Sequence, residues 1–299
     1  MSRQGDFELD KQSVRRSFDR AAPDYDEAAV LQAEVRQRML GRLDYVKLDP
    51  VVALDIGTGT GEGALALRRR YRGSRIVAAD LSEAMLGRMR DKSPWWRRPR
   101  AVCGDMERLP FADDSLDLVF SCLTLQWCND LSTVFSEVRR VLKEGGVFLF
   151  STFGPGTLAE LAEAWGMADP EGSHVSRFVD MHDVGDALVR AGLAEPVLDV
   201  DEFTLTYEDV GGVMRDLKSI GAQNSAAQRP RGLTGKGRFR AMAEAYEARR
   251  RDGRLPASYE VVYGQAWGVA GRPQVVEESG EVKVPFSMLS KGLNISRPE

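Results

Sequence analysis

The chain has 299 residues, of which 43% are hydrophobic, enough to bury one large α/β domain with a smaller addition. A net charge of −4 argues against a dedicated nucleic-acid binder, and no apolar stretch approaches the length of a membrane span. Two histidines and three cysteines (Cys103, Cys122, Cys128) at unrelated spacings provide no metal knuckle and no disulfide framework. With no signal-peptide pattern, the expectation is a cytoplasmic protein without a metal.

The first 20 residues are polar and mixed in charge, and read as a mobile arm leading into a helix. Residues 27–43 carry Ala29, Val30, Ala33, Leu40 and Leu43 at mostly helical spacing, which predicts an amphipathic helix ahead of the first strand. Strands and helices then alternate: strand 51–56, helix 62–70, strand 75–80, helix 82–91 with Ser82 as N-cap, strand 100–104, strand 116–122, helix 130–142 and strand 146–152. That alternation implies βαβ units and a parallel sheet covered on both faces. Gly145-Gly146 is expected to close the helix before the fifth strand as a left-handed C-cap.

After residue 153 the pattern changes. A helix at 157–165 precedes a helix at 182–191 and a strand at 197–206. Helices at 208–220 and 235–250 then separate that strand from the last one, 259–264. An insertion of this length is not expected to be an unstructured loop; it reads as a helical cap over the ligand crevice. The predicted division is therefore 1–50 arm and lid helices, 51–207 α/β core, 208–256 cap, 257–268 last core strand and 269–299 a loosely ordered tail.

Residues 51–61 carry the first chemical signal. The apolar run Val51-Val52-Ala53 leads into Leu54-Asp55-Ile56-Gly57-Thr58-Gly59-Thr60-Gly61. Gly57, Gly59 and Gly61 allow sharp turns and close approach of a ligand to the backbone, while Asp55 brings a carboxylate to the loop. A pyrophosphate site would want Gly-x-Gly-x-x-Gly, but Glu62 and Ala64 stand where the third glycine would be. The acidic loop suits a ligand with positive charge. The next strand ends on Asp80, followed by Leu81, where a carboxylate can accept from two ribose hydroxyls; the strand after it runs to Asp105-Met106, where an adenine amino group can be held.

The three acids at successive strand ends resemble motif I and its partners in class I S-adenosylmethionine-dependent methyltransferases. The resemblance implies a Rossmann-like α/β fold: a mostly parallel seven-stranded sheet with helices on both faces, closing on two adjacent antiparallel strands, here with the helical cap inserted before the last one. It also implies S-adenosylmethionine as methyl donor, with Asp55, Gly57, Gly59, Gly61, Asp80, Leu81, Asp105, Met106 and Cys122 as the residues that hold it.

Further segments resemble one family within that superfamily. They are Ser17-Phe18-Asp19-Arg20-Ala21-Ala22-Pro23-Asp24-Tyr25-Asp26, Ser121-Cys122-Leu123-Thr124-Leu125-Gln126-Trp127-Cys128, His174-Val175-Ser176-Arg177-Phe178, Leu217-Lys218-Ser219-Ile220-Gly221-Ala222, and Tyr263-Gly264-Gln265-Ala266-Trp267-Gly268. In this order they are similar to the malonyl-acyl carrier protein O-methyltransferases of biotin precursor synthesis, over roughly residues 13–268. The resemblance implies methylation of the free carboxylate of a malonyl thioester, on acyl carrier protein or coenzyme A. Methyl transfer needs alignment and exclusion of water, and a carboxylate arrives ionised at pH 7, so the lack of an evident histidine base is compatible with it. Tyr25 would close over the sulfonium, Gln126 and Trp127 would meet the acceptor, and Arg177 would pair two-pronged with the malonyl carboxylate, with Lys218 as second choice.

Between Arg229 and Arg254, nine basic residues stand against three acidic ones (Glu244, Glu247, Asp252). Such a cap would steer an acidic acyl carrier protein. Two rival readings remain open at this point: a methyltransferase-fold complex I assembly factor associated with arginine hydroxylation, and a methyltransferase of quinone synthesis. The latter would want a base near a phenol or ring carbon.

Overall fold

A computed structural model describes residues 8–92, 94–172, 174–222 and 235–270. Three helices precede the sheet: α1 (Lys11–Ala21), α2 (Tyr25–Ala28) and α3 (Val30–Arg42). The run expected to be a mobile arm is therefore helical from residue 11. Asp10 caps α1 by accepting from the N–H groups of Gln12 and Ser13, and Val14, Ser17 and Ala21 share its buried face. The single helix expected over 27–43 is two, because Ala29 leaves helical geometry at φ −82°, ψ 47°.

The remaining elements are β1 (Val52–Ile56), α4 (Glu62–Arg70), β2 (Arg75–Asp80), α5 (Glu83–Asp91), β3 (Arg100–Cys103), β4 (Leu116–Cys122), α6 (Leu131–Val141), β5 (Leu142–Phe153), α7 (Ala159–Ala168), α8 (Met181–Arg190), β6 (Ala194–Tyr207), α9 (Val210–Ser219), α10 (Lys236–Glu247) and β7 (Leu255–Trp267). The strands form one sheet in the order β3-β2-β1-β4-β5-β7-β6. The first five are parallel, and β7 runs antiparallel between β5 and β6. This is the seven-stranded, mostly parallel sheet expected of a Rossmann-like methyltransferase.

Alternation along the central strands sends residues to two cores. Ala53, Ile76, Ala78, Leu118, Phe120, Val147 and Leu149 join α3, α4 and α7 on one face. Leu54, Val77, Val119, Phe148 and Phe150 join α6 and α8 on the other. Phe148 and Phe150 stack at 4.7 Å beneath Phe135 of α6. Phe150 is in register with Gly264, and a Cβ there would lie 2.1 Å from the phenylalanine ring. The glycine of the Tyr263–Gly268 segment thus makes room for a core aromatic.

Ser82 caps α5 as expected, accepting from the N–H of Met85 at 3.1 Å. Gly145 does not cap α6. The helix ends at Val141, Leu142 is already extended, and Gly145, at φ +72°, turns within β5 while its N–H donates to the carbonyl of Gly268. The last strand begins at Leu255, earlier than expected, because Leu255, Ala257, Tyr259 and Val261 continue one buried face paired along β6. The insertion between β6 and β7 carries α9 and α10 and packs chiefly through α10 on α7. Arg229, Arg231 and residues 271–299 of the expected tail lie outside the described residues.

Candidate active site

Strand β1 has β2 on one side and β4 on the other, so the connections leave in opposite directions and a crevice opens beyond the strand ends. The loop after β1 is tied across it, with the N–H groups of Gly57 and Thr58 both donating to the carbonyl of Ala79 at 2.8 and 3.0 Å. Gly57, Gly59 and Gly61 all take positive φ (66°, 55° and 87°). They do different work. A Cβ at Gly57 would stand 2.1 Å from the Thr124 side chain, and one at Gly59 would project into the gap toward Tyr25, 4.0 Å from its ring. Gly61 stands at the start of α4, and a Cβ there would strike Met89 at 2.1 Å, so this third glycine serves packing and does not line the crevice.

Asp80 stands at the end of β2 with both carboxylate oxygens fixed by backbone donors. The Gly59 N–H reaches Oδ2 and the Ser82 N–H reaches Oδ1, each at 2.8 Å. Burial pushes its pKa up to about 6 against those bonds. Asp55 is turned the other way. Its Oδ2 accepts from the Thr58 hydroxyl at 2.7 Å and lies 2.6 Å from where a Gly63 Cβ would be. Burial pushes this carboxyl up to about 7. Asp55 therefore organises the loop and the first turn of α4 from beneath, and is not on the crevice wall.

The crevice is lined by Gly57, Gly59, Asp80, Leu81, Asp105, Met106 and Cys122, all expected from the sequence, and by Tyr25 and Trp127. Its roof is α1, which contributes Lys11, Val14 and Phe18, with Phe18 edge-on to Trp127 at 5.2 Å. Lys11 Nζ reaches Asp105 Oδ1 and Glu107 Oε1, both at 3.0 Å. Asp19 accepts from the Ser82 hydroxyl at 2.5 Å, which ties the same helix to the N-terminus of α5. Tyr25 is half-buried and its phenol pKa is raised chiefly by burial, so it remains a donor at neutral pH. Burial also pushes the Cys122 thiol up to about 12, which leaves it a neutral wall and not a nucleophile.

A second cavity adjoins the first. Trp127, Phe153, Ile220 and Ala222 line both. Beyond this boundary the walls are Leu158, Leu161 and Trp165 from the α7 region, Met214, Leu217 and Lys218 from α9, and His174, Val175, Ser176 and Phe178. Gln126 lines this cavity, with its Nε2 donating to the Leu123 carbonyl at 2.7 Å and Thr152 approaching Oε1 at 3.5 Å. Lys218 is exposed on the rim and makes no ion pair among the described residues. Arg177 is exposed and lines an outer cleft, not this cavity, although its neighbours on either side face inward. Lys11, Phe153, Trp165 and Tyr259, which the sequence did not single out, come from segments with no shared spacing, and His174 was quoted only within the His174–Phe178 segment, without a role.

The basic stretch is partly spent within the chain. Among the described residues Arg249 pairs with Glu163, Arg250 with Glu247 and Arg238 with Asp169, and Arg254 bonds to Thr206. Lys236, Arg240 and Arg251 make no such pair. No described helix is long and apolar enough to cross a membrane.

Comparison with known proteins agrees with this geometry. A methyltransferase-domain family profile matches residues 54–150. Among solved structures, the YcgJ protein from Bacillus subtilis superposes with a TM-score of 0.53 at 19% identity over 79% of this chain and 100% of its own, a likeness of fold. A malonyl-acyl carrier protein O-methyltransferase from Methylovorus sp. (strain MP688) is 55% identical over 267 residues, 87% of this chain and 89% of the relative. One from Gallionella capsiferriformans (strain ES-2) is 51% identical over 273 residues, covering 89% and 94%. With half of its residues shared along nearly its whole length, the chain belongs to the malonyl-acyl carrier protein O-methyltransferase family.

Proposed function

We propose that this chain is an S-adenosylmethionine-dependent methyltransferase that esterifies the free carboxylate of a malonyl thioester presented by an acyl carrier protein, as in biotin precursor synthesis, in the cytoplasm. The observation that carries this reading is the pair of cavities meeting at Trp127, Phe153, Ile220 and Ala222.

The crevice fits the donor. Asp80 offers a fixed carboxylate to ribose hydroxyls, Asp105 an acceptor for the adenine amino group, and the glycine loop leaves a space that a Cβ on Gly59 would begin to fill. When bound, the donor supplies a methyl group on a sulfonium, a carbon already activated for displacement. The chain's own task is alignment and dryness. Phe18, Trp127 and Phe153 exclude water from the boundary between the cavities, and Tyr25 covers the loop. Gln126, with one amide hydrogen held by the Leu123 carbonyl, directs the other at a carboxylate oxygen to set its approach. That oxygen would already be ionised at pH 7, so the residues around it would need to align it with the donor methyl group but not to remove a proton. Arg177 and Lys218, at the mouth, draw the negative acceptor inward without clamping the oxygens that must react.

Incubation with labelled S-adenosylmethionine and malonyl-carrier protein, read by intact mass, tests the reaction. The expected result is a gain of one methyl on the malonyl form and none on the acetyl form; no gain on malonyl overturns it. The carrier-protein reading adds that activity on the carrier substrate falls steeply with ionic strength, while a coenzyme A thioester is affected less. Equal salt sensitivity would count against docking through the basic cap. With the family established, no observation favours the assembly-factor or quinone-synthesis reading.

A further inference from the structure

Outward from the junction the acceptor cavity opens into the outer cleft, and Thr157, Trp165, His174, Val175, Ser176 and Phe178 line both. A substrate that enters through this cleft with its head at Trp127 would pass these residues. Of the six, Thr157 has its hydroxyl taken by the Glu260 backbone, whereas His174 is held through one ring nitrogen and keeps the other. Its ring stacks on Trp165 at 3.9 Å and 12°, and its Nε2 lies 2.8 Å from Asp169 Oδ2. Both side chains are only about a tenth exposed, at 11% and 10%. Arg238 of α10 reaches the same carboxylate oxygen at 3.3 Å, so the pair is held from the cap as well. The fit is close: a Cβ on Gly172 would stand 2.4 Å from Nε2 and 2.6 Å from Asp169 Oδ2.

With the hydrogen assigned to Nε2, facing the accepting carboxylate of Asp169, the ring presents Nδ1 as an acceptor on its other side. No partner for Nδ1 is present among the described residues. A ring fixed by stacking and by one charge-assisted bond thus holds a free acceptor beside the passage. The thioester of a carrier protein or of coenzyme A hangs on a long arm that contains amide N–H groups, and such a donor would be desolvated in this largely apolar passage unless an acceptor met it.

We infer that His174 recognises the thioester arm, its Nδ1 accepting a hydrogen bond from an arm amide N–H, with Asp169 as the positioning residue that sets the tautomer and orientation of the ring. This assignment rests on the malonyl-thioester reading above and deepens it. It separates two recognition tasks: Gln126 and Trp127 meet the reacting carboxylate, and His174 meets the handle that carries it.

The test compares malonyl-coenzyme A, whose arm has amides, with S-ethyl malonyl thioester, which has none. His174→Phe keeps a ring on Trp165 and removes the acceptor. It should raise KM for malonyl-coenzyme A by about 10-fold with kcat changed less than about two-fold, and lower kcat/KM for the S-ethyl thioester by no more than about two-fold, so that the preference for the amide-bearing thioester is lost. Asp169→Asn, which keeps an acceptor for Nε2–H, should retain most of the preference, whereas Asp169→Leu should behave like His174→Phe. If His174→Phe fails to fold, His174→Gln carries the same comparison, since its amide oxygen should preserve the preference for the amide-bearing thioester. Equal loss on both thioesters, or no loss on malonyl-coenzyme A, overturns the assignment. A wild-type enzyme that methylates neither thioester overturns the methylation reading, and this one with it.

Discussion

The two cavities meet at four shared residues but are built by different means. In the donor crevice the polar groups are backbone-fixed. Gly57 and Thr58 N–H groups are bonded to β2, and Asp80 is held at both oxygens by main-chain donors. In the acceptor cavity the walls include side chains of α7 and α9 with adaptable shapes, among them Leu161 and Met214, and its polar groups, Gln126, Thr157 and His174, are side chains and not main-chain donors. One half is rigid because its geometry is written into the sheet; the other takes its form from helix packing. In the proposed reaction the ligand common to a whole superfamily would sit in the first, and the acceptor that distinguishes one family in the second.

The sharpest break of that contrast is in the loop. Gly57→Ala forces a side chain into a positive-φ position and against Thr124, at a cost of about 2–4 kcal/mol. Donor binding by calorimetry should be abolished, and the melting temperature should fall. Next in size, Asp80→Asn removes a charged acceptor and should weaken donor affinity about 10- to 100-fold, while KM for the acceptor changes little.

Acidity offers a probe of the same carboxylate without mutation. Its pKa is raised to about 6, and the ionised form is the better acceptor for hydroxyls, so donor affinity should strengthen as pH rises through about 6. In the ligand-free protein the sign is opposite. A carboxyl that holds its proton more tightly folded than unfolded contributes stability below its unfolded pKa, and that contribution is lost as pH rises from about 4 toward 6. Melting curves across that range, with and without donor, separate the two effects.

On the acceptor side, Leu161→Ala should raise acceptor KM by only about 3- to 10-fold, with donor affinity intact, because the helical wall can relax around the loss. A donor defect as large as that of Asp80→Asn would contradict the division. The smallest effect is expected from Lys11→Met. The two ion pairs it breaks join side chains between 23% and 33% exposed, and donor release in stopped-flow should quicken by about two- to five-fold.

The donor half was legible because it is local. A strand, a glycine loop and an acid at the next strand end lie within a single βαβ unit, so the order of residues already states the geometry. What the spacing could not say was which way Asp55 turns, or that Gly61 is needed for Met89 and not for a ligand; both depend on neighbours from α4 and α5. Gly145 was misjudged for a related reason, since a glycine after a helix and a glycine turning inside a strand look alike until the partner strand is known. The acceptor half was legible only in fragments. Gln126 and Trp127 follow a strand end, but His174, Trp165, Asp169 and Tyr259 come together through the packing of α7 on the last strand and the cap, and no period in the chain records that. Arg177 shows the limit most plainly: its immediate neighbours Ser176 and Phe178 face inward, and it faces the outer cleft.

The ion pairs of Lys11 carry a consequence for traffic through the enzyme. The spent donor differs from the fresh one by a methyl group and a positive charge, yet both must leave and enter beneath α1, whose first turn is latched to Asp105 and Glu107. The helix is held at both ends, by Lys11 on Asp105 and Glu107 and by Asp19 on the Ser82 hydroxyl, and Asp105 is also the acid proposed to meet the adenine. Exchange of the used donor for the next beneath α1 would have to work against these two ion pairs, and would then depend on a lysine that takes no part in the methyl transfer itself.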